Sequence, residues 1–111
     1  MTVYGNTYVD SAVVTGVSTN TAVLTLPSST GQSAYFEYVV YDAATSSMRA
    51  GTILCVWNST GATYTDTSTT DLGTSTEGIG FNVTSGSGIV TLNAIVSAGT
   101  WNIKVGTRVI F

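Results

Sequence analysis

Apolar and polar positions alternate along this chain with a period of two, nearly from end to end. That period belongs to half-buried strands; no segment carries a helical stripe. Threonine, valine, isoleucine and aromatic residues fill the alternating runs, as a pleated surface prefers. The pattern predicts strands at Tyr8–Thr15, Thr21–Leu26, Ala34–Asp42, Arg49–Asn58, Ala62–Thr67, Ile79–Thr84, Gly88–Ser97 and Thr100–Ile110. Pro27, the only proline, follows TAVLTL and ends a strand there. Glycine-rich turn signals stand at Ser59–Gly61, Ser85–Gly88 and Ala98–Thr100. The last two are expected as tight hairpins that join three consecutive strands into a meander.

The same alternation sorts side chains onto faces. Val90, Leu92, Ala94 and Val96 share one face, and Trp101, Ile103, Val105 and Val109 another, with Asn102, Lys104 and Arg108 pointing away. The run AYFEYVVYD is apolar on both sides: Phe36, Tyr38 and Val40 oppose Tyr35, Val39 and Tyr41, with Glu37 among the latter. One face should meet the core and the other a second layer or a neighbouring subunit. The fold expected is all-β: an antiparallel β-sandwich, jelly-roll-like, of about eight strands. It forms one domain over residues 1–111, with 1–16 expected as a docking or swapped N-terminal strand.

Composition changes the picture from fold to role. Charged residues make up 8% of the chain, against roughly 25% in ordinary soluble domains. Serine and threonine supply about a third, so hydroxyls meet the water. The net charge is −3, and Arg49, Lys104 and Arg108 are the only bases. So weakly charged a domain is expected to have much of its surface covered by other subunits. The missing basic footprint argues against nucleic acid. No apolar run is long enough to span a membrane. The N-terminal residues carry neither a basic n-region nor an apolar h-region, so no secretion signal is expected. Cys55, the single cysteine, lies in the apolar run ILCVW and reads as a buried, inert thiol.

Candidate chemistry is sparse. Histidine is absent, which removes most nucleophile–base arrangements. Nothing in the spacing of Glu37, Asp42, Asp66, Asp71 and Glu77 brings two carboxylates together for hydrolysis. The segment DTSTTD, Asp66–Asp71, is not a calcium loop and reads as hydroxyl-rich turn capping. No enzyme activity, cofactor or metal is expected. Asn58 and Asn82 stand in glycan-acceptor triplets, discounted without a secretion signal. Tyr35, Tyr38, Tyr41, Trp57, Tyr64 and Trp101 would suit a sugar platform, but core or interface packing is preferred. Arg49 is expected to pair with Asp42 across the AATSS turn, or with a carboxylate on a neighbour.

The succession from Ala34 onward resembles a β-rich domain of structural proteins in tailed bacteriophages, found at the ends of head-fibre, tail-fibre and other virion appendages. The elements that carry the resemblance are the strand Ala34–Tyr41, Met48-Arg49-Ala50-Gly51-Thr52, Tyr64-Thr65-Asp66, Asp71-Leu72-Gly73, Phe81-Asn82-Val83, the turn Ser85–Gly88, and Trp101-Asn102-Ile103-Lys104. The resemblance implies a virion protein, a homotrimer, and no catalytic residue. Sequence that reads as strand begins almost at Met1, leaving no room for a fibre shaft. The expectation is therefore a capsid decoration (cement) or head-knob protein on the capsid surface, assembled in the host cytoplasm and bound to the major capsid protein. The alternative is a receptor- or glycan-binding fibre tip. The residues expected at interfaces are Val3, Tyr4, Tyr8, Val9, Arg49, Tyr64, Asp66 and Asp71, with Val3–Thr15 the segment that touches the shell or swaps between protomers.

Overall fold

The computed structural model describes residues 2–4 and 7–110. Among these, nine strands follow the alternation: β1 (Thr2–Tyr4), β2 (Thr7–Val17), β3 (Thr21–Pro27), β4 (Ser33–Asp42), β5 (Ser47–Asn58), β6 (Gly61–Ser68), β7 (Ile79–Gly86), β8 (Ile89–Val96) and β9 (Trp101–Ile110). One 3-10 turn, Ser28–Thr30, follows Pro27. The strands form two antiparallel sheets, a larger one in the order β1-β2-β9-β4-β5-β6 and a smaller one in the order β3-β8-β7. The fold is a β-sandwich.

The ribbon β2–β3 lies along the ribbon β9–β8, so that β2 pairs with β9 in one layer and β3 with β8 in the other. A ribbon wrapped across both layers in this way is the jelly-roll device. The meander β4-β5-β6 completes the larger sheet.

Two expectations need correction. The hairpin at Ser85–Gly88 is present: β7 pairs with β8, and Ser87 and Gly88 take φ of 53° and 78°, as a type I′ turn requires. The turn at Ala98–Thr100 is no hairpin, because β8 and β9 lie in different sheets. Gly99 adopts φ 86°, and the buried Trp101 donates its indole N–H to the Ala98 carbonyl at 2.8 Å. The large ring enters the core directly after the turn and carries the chain into the other layer. The segment Val3–Thr15, expected to act as one docking or swapped strand, is divided between two: β1 pairs antiparallel with β2, Val3 opposite Tyr8.

The core fills the space between the layers. Phe36, Ile53, Ile103 and Val109 of the larger sheet and Leu26, Val90 and Leu92 of the smaller are almost fully buried. Their burial is the main stabilising term. Tyr38 and Phe81 meet across the layers with ring centroids 4.5 Å apart.

Candidate functional site

Strand alternation gives the sandwich two outer faces, and they differ. On the smaller sheet, Asn93 Nδ2 donates to Asn82 Oδ1 at 2.8 Å and to Thr84 Oγ1 at 3.1 Å. Thr25 and Thr91 share this face, and so do Ile89 and Ile95, which are exposed at its two ends.

The outer face of the larger sheet is mixed, with exposed aliphatic side chains set among hydroxyls and three charges. Cross-strand rows read off the ladders are Val9-Arg108-Tyr35-Leu54-Thr65, Ser11-Gly106-Glu37-Thr52-Thr67 and Val13-Lys104-Val39-Ala50-Thr69. Leu72 joins this face as the bridge partner of Met48. Of the nine large hydrophobic side chains exposed among the described residues, six lie here: Val9, Val13, Leu54, Val56, Leu72 and Ile110. Val13 is 68% and Leu72 65% exposed. A shallow open depression of about 810 Å³ crosses the face, bordered by Val13, Val39, Ala50, Thr52, Glu37 and Lys104. The charges on it are concentrated: Arg108 lies over the Tyr35 ring at 5.3 Å, and Lys104 and Glu37 are exposed nearby. Nothing in the described chain covers this face.

A polar network sits at the other side of the same sheet. Arg49, on β5, donates through Nη1 to the Thr76 carbonyl and hydroxyl at 3.1 and 2.9 Å, and through Nη2 to the Ile79 carbonyl at 3.0 Å. Its guanidinium stands 5.7 Å from the centre of the Tyr38 ring. The Tyr38 hydroxyl donates to Asp66 at 2.8 Å, and its own pKa is raised, first by burial and then by that carboxylate. Asp71 accepts from the Thr76 hydroxyl and from the Thr76 backbone N–H, and these bonds hold its carboxyl below its ordinary value. Backbone bonds between Met48 and Leu72, and from Thr69 to Ala50, complete the attachment of the 69–78 loop.

This arrangement explains the acid- and hydroxyl-rich stretch from Thr63 to Gly78. It holds its shape by local capping and by one arginine, with no apolar anchor of its own. Arg49 does not pair with Asp42, as the sequence suggested. Asp42 instead caps the turn at the Ala44 N–H, 2.9 Å away. Carbonyls released by the loop offer Arg49 more acceptors than one carboxylate would.

Of the residues expected at interfaces, Val9 lies on the outer face of the larger sheet. Arg49, Asp66 and Asp71 belong to the internal network, and Tyr64, 39% exposed, is on the opposite side of β6. The backbones of Val3, Tyr4 and Tyr8 lie in β1 and β2, and their side chains are outside the described residues. Sequence reasoning missed Leu54, Val56 and Ile110, while Val13 falls inside the Val3–Thr15 segment expected to make contacts. The available signal was the unbroken apolar run ILCVW in β5, which leaves no polar side to face water.

Comparison of the chain with known protein families, curated proteins and solved structures gave no match to any of the three.

Proposed function

We propose that this protein is a non-enzymatic structural subunit of a tailed-bacteriophage virion, a decoration or head-knob protein that stabilises the capsid from outside. The observation that carries the reading is the outer face of the larger sheet, where six of the nine exposed large hydrophobic side chains among the described residues gather. An exposed apolar patch this concentrated marks a surface of association. A chain with 8% charged residues has little charge with which to keep that face apart from neighbours.

The assignment to a phage particle rests on the resemblance of the segments from Ala34 to Lys104. Three copies around one axis is the assembly the resemblance implies, with the edges β1 and β6 paired or covered between subunits. The task of such a subunit is mechanical. Apolar area buried at about 25 cal/mol per Å² holds each contact, and simultaneous engagement of several capsid proteins multiplies the effect against the pressure of packaged DNA.

The test is to locate the protein on purified particles. The expected result is its presence on the outside of heads freed from tails, with stripped heads rupturing at lower temperature. Absence from particles overturns the reading. Presence on tails alone, with glycan binding lost in Tyr64→Ala, replaces it with a receptor-binding tip.

A further inference from the structure

We infer that the outer face of the larger sheet is covered by the same face of a second copy, about a two-fold axis running between β4 and β9. The inference rests on the assembly reading only for the expectation that the face is covered, and it assigns this face to the contact between copies in place of a contact with the capsid.

Register carries the argument. On the ladder between β4 and β9, Glu37 stands opposite Gly106, while Val39 faces Lys104 and Tyr35 faces Arg108. A two-fold axis along these strands lays β4 of one copy over β9 of the other at the same level. Glu37 then lies above the partner's Gly106, which has no side chain, and between the partner's Lys104 and the partner's Arg108. The exchange is reciprocal, so two acids each meet two bases. Neither the Glu37 nor the Lys104 side chain is engaged in a hydrogen bond or ion pair among the described residues, so both are free to make these contacts.

The apolar positions follow the same operation. β5 passes over the partner's β2, which sets Leu54 above the partner's Val9 and Ala50 above the partner's Val13. A bulky residue thus meets a bulky one, and the most exposed valine meets a small one. Isologous contacts need this self-complementarity.

The area is also sufficient. The edge strand β1 is three residues long and the other five strands eight to twelve; at about 3.3 Å per residue and about 4.8 Å between strands they present roughly 800 Å². A standard specific interface buries about 800 Å² on each partner.

The test is the mass of the assembly in solution, by sedimentation at micromolar concentration. The wild-type chain is expected as two copies, or as six where pairs combine with a three-fold ring. A single copy, or any odd number, overturns the inference. Gly106→Leu is the decisive variant, because a Cβ at Gly106 meets nothing within 4 Å inside its own subunit. Its circular dichroism should match wild type, and its melting temperature should equal that of wild type diluted until it dissociates. Its side chain nevertheless blocks the seat of the partner's Glu37, and the dissociation constant should rise at least about tenfold, as for a central interface residue. An unchanged constant overturns the inference. Glu37→Lys should weaken pairing similarly, and adding Lys104→Glu with Arg108→Glu should restore it to within about threefold, because complementarity returns with signs reversed. Pairing in solution by a protein absent from particles would leave this inference standing and remove the phage reading. A protein found on heads but odd in mass would do the reverse.

Discussion

Arg49 on β5 grips Thr76 at both its carbonyl and its hydroxyl, across 27 residues of sequence, and so ties a loop without apolar anchorage to the wall of the sandwich. Charge-assisted hydrogen bonds of this kind contribute about 1.5–3 kcal/mol each, and removing a donor leaves buried carbonyls unpaired. Arg49→Met keeps most of the aliphatic stem over the Tyr38 ring while removing every donor. It should lower the unfolding free energy by about 2–4 kcal/mol. Hydrogen exchange should accelerate first in residues 69–78, before the core strands. Uniform acceleration across the chain would show that Arg49 acts on global stability and not on the loop.

The Thr76 end of that contact has its own pH dependence. Asp71 accepts the Thr76 hydroxyl and backbone N–H, which favours the carboxylate, so its pKa in the folded state lies below the ordinary 3.8. A depressed acid adds stability that is present above its unfolded value and lost as pH falls through the folded value. Acid should therefore loosen the 69–78 loop as pH drops below about 4. Asp71→Asn should remove that component of the acid dependence while leaving stability flat near neutrality. Following unfolding midpoints of both proteins from neutral pH into acid checks the sign.

Much of the fold was legible from alternation. Strand limits fall within two residues of expectation for the eight longer strands, and the inward faces of β4, β8 and β9 match. The crossing from β8 to β9 was not legible, because a glycine turn that closes a hairpin and one that changes layers use the same residues. Only the burial of Trp101 separates them, and burial is a property of the assembled sandwich. The partner of Arg49 was hidden for a similar reason. Its acceptors are mostly backbone carbonyls, and carbonyls leave no mark on composition. The outer face was half visible: AYFEYVVYD announced two apolar sides, but only the sheet order sets Val9, Val13, Leu54 and Ile110 on one surface with it.

Two glycines should respond oppositely to a methyl group. A Cβ on Gly51 would stand 2.5 Å from the Tyr38 hydroxyl oxygen and 2.8 Å from the Thr67 carbonyl, so the ring passes directly over the glycine to reach Asp66. Gly51→Ala must displace Tyr38 or part β5 from β6, at a cost of about 2–3 kcal/mol. At Gly80 a Cβ meets nothing within 4 Å, and Gly80→Ala should be neutral or stabilising by up to about 1 kcal/mol through loss of unfolded-state freedom. Urea midpoints of the two variants decide the matter. A Gly51→Ala protein as stable as wild type would mean that the Tyr38 hydroxyl is not held where it stands.

The core should also fail in alkali, in a defined window. Burial pushes the Cys55 thiol up from 9.0 to about 11, only partly offset by its backbone hydrogen bond at Ala34, and burial likewise raises Tyr38 above 10.0. Both groups are neutral in the folded state and ionise more easily once unfolded. A raised folded value means that stability is fully present below the unfolded value and declines as pH climbs towards the folded one. For Cys55 the decline begins near 9 and ends near 11. Cys55→Ala should flatten the first part of the slope, at the expense of a small cavity beside Ile53 and Trp57, and Tyr38→Phe should flatten the later part. The same burial predicts that a thiol reagent labels native Cys55 at a rate set by unfolding, since the thiolate is both scarce and enclosed. Adding denaturant should speed labelling in step with the unfolding transition. Rapid labelling of the native protein near neutral pH would show that strands β4 and β5 part readily around Cys55, and that the larger sheet is not the rigid platform on which its outer face depends.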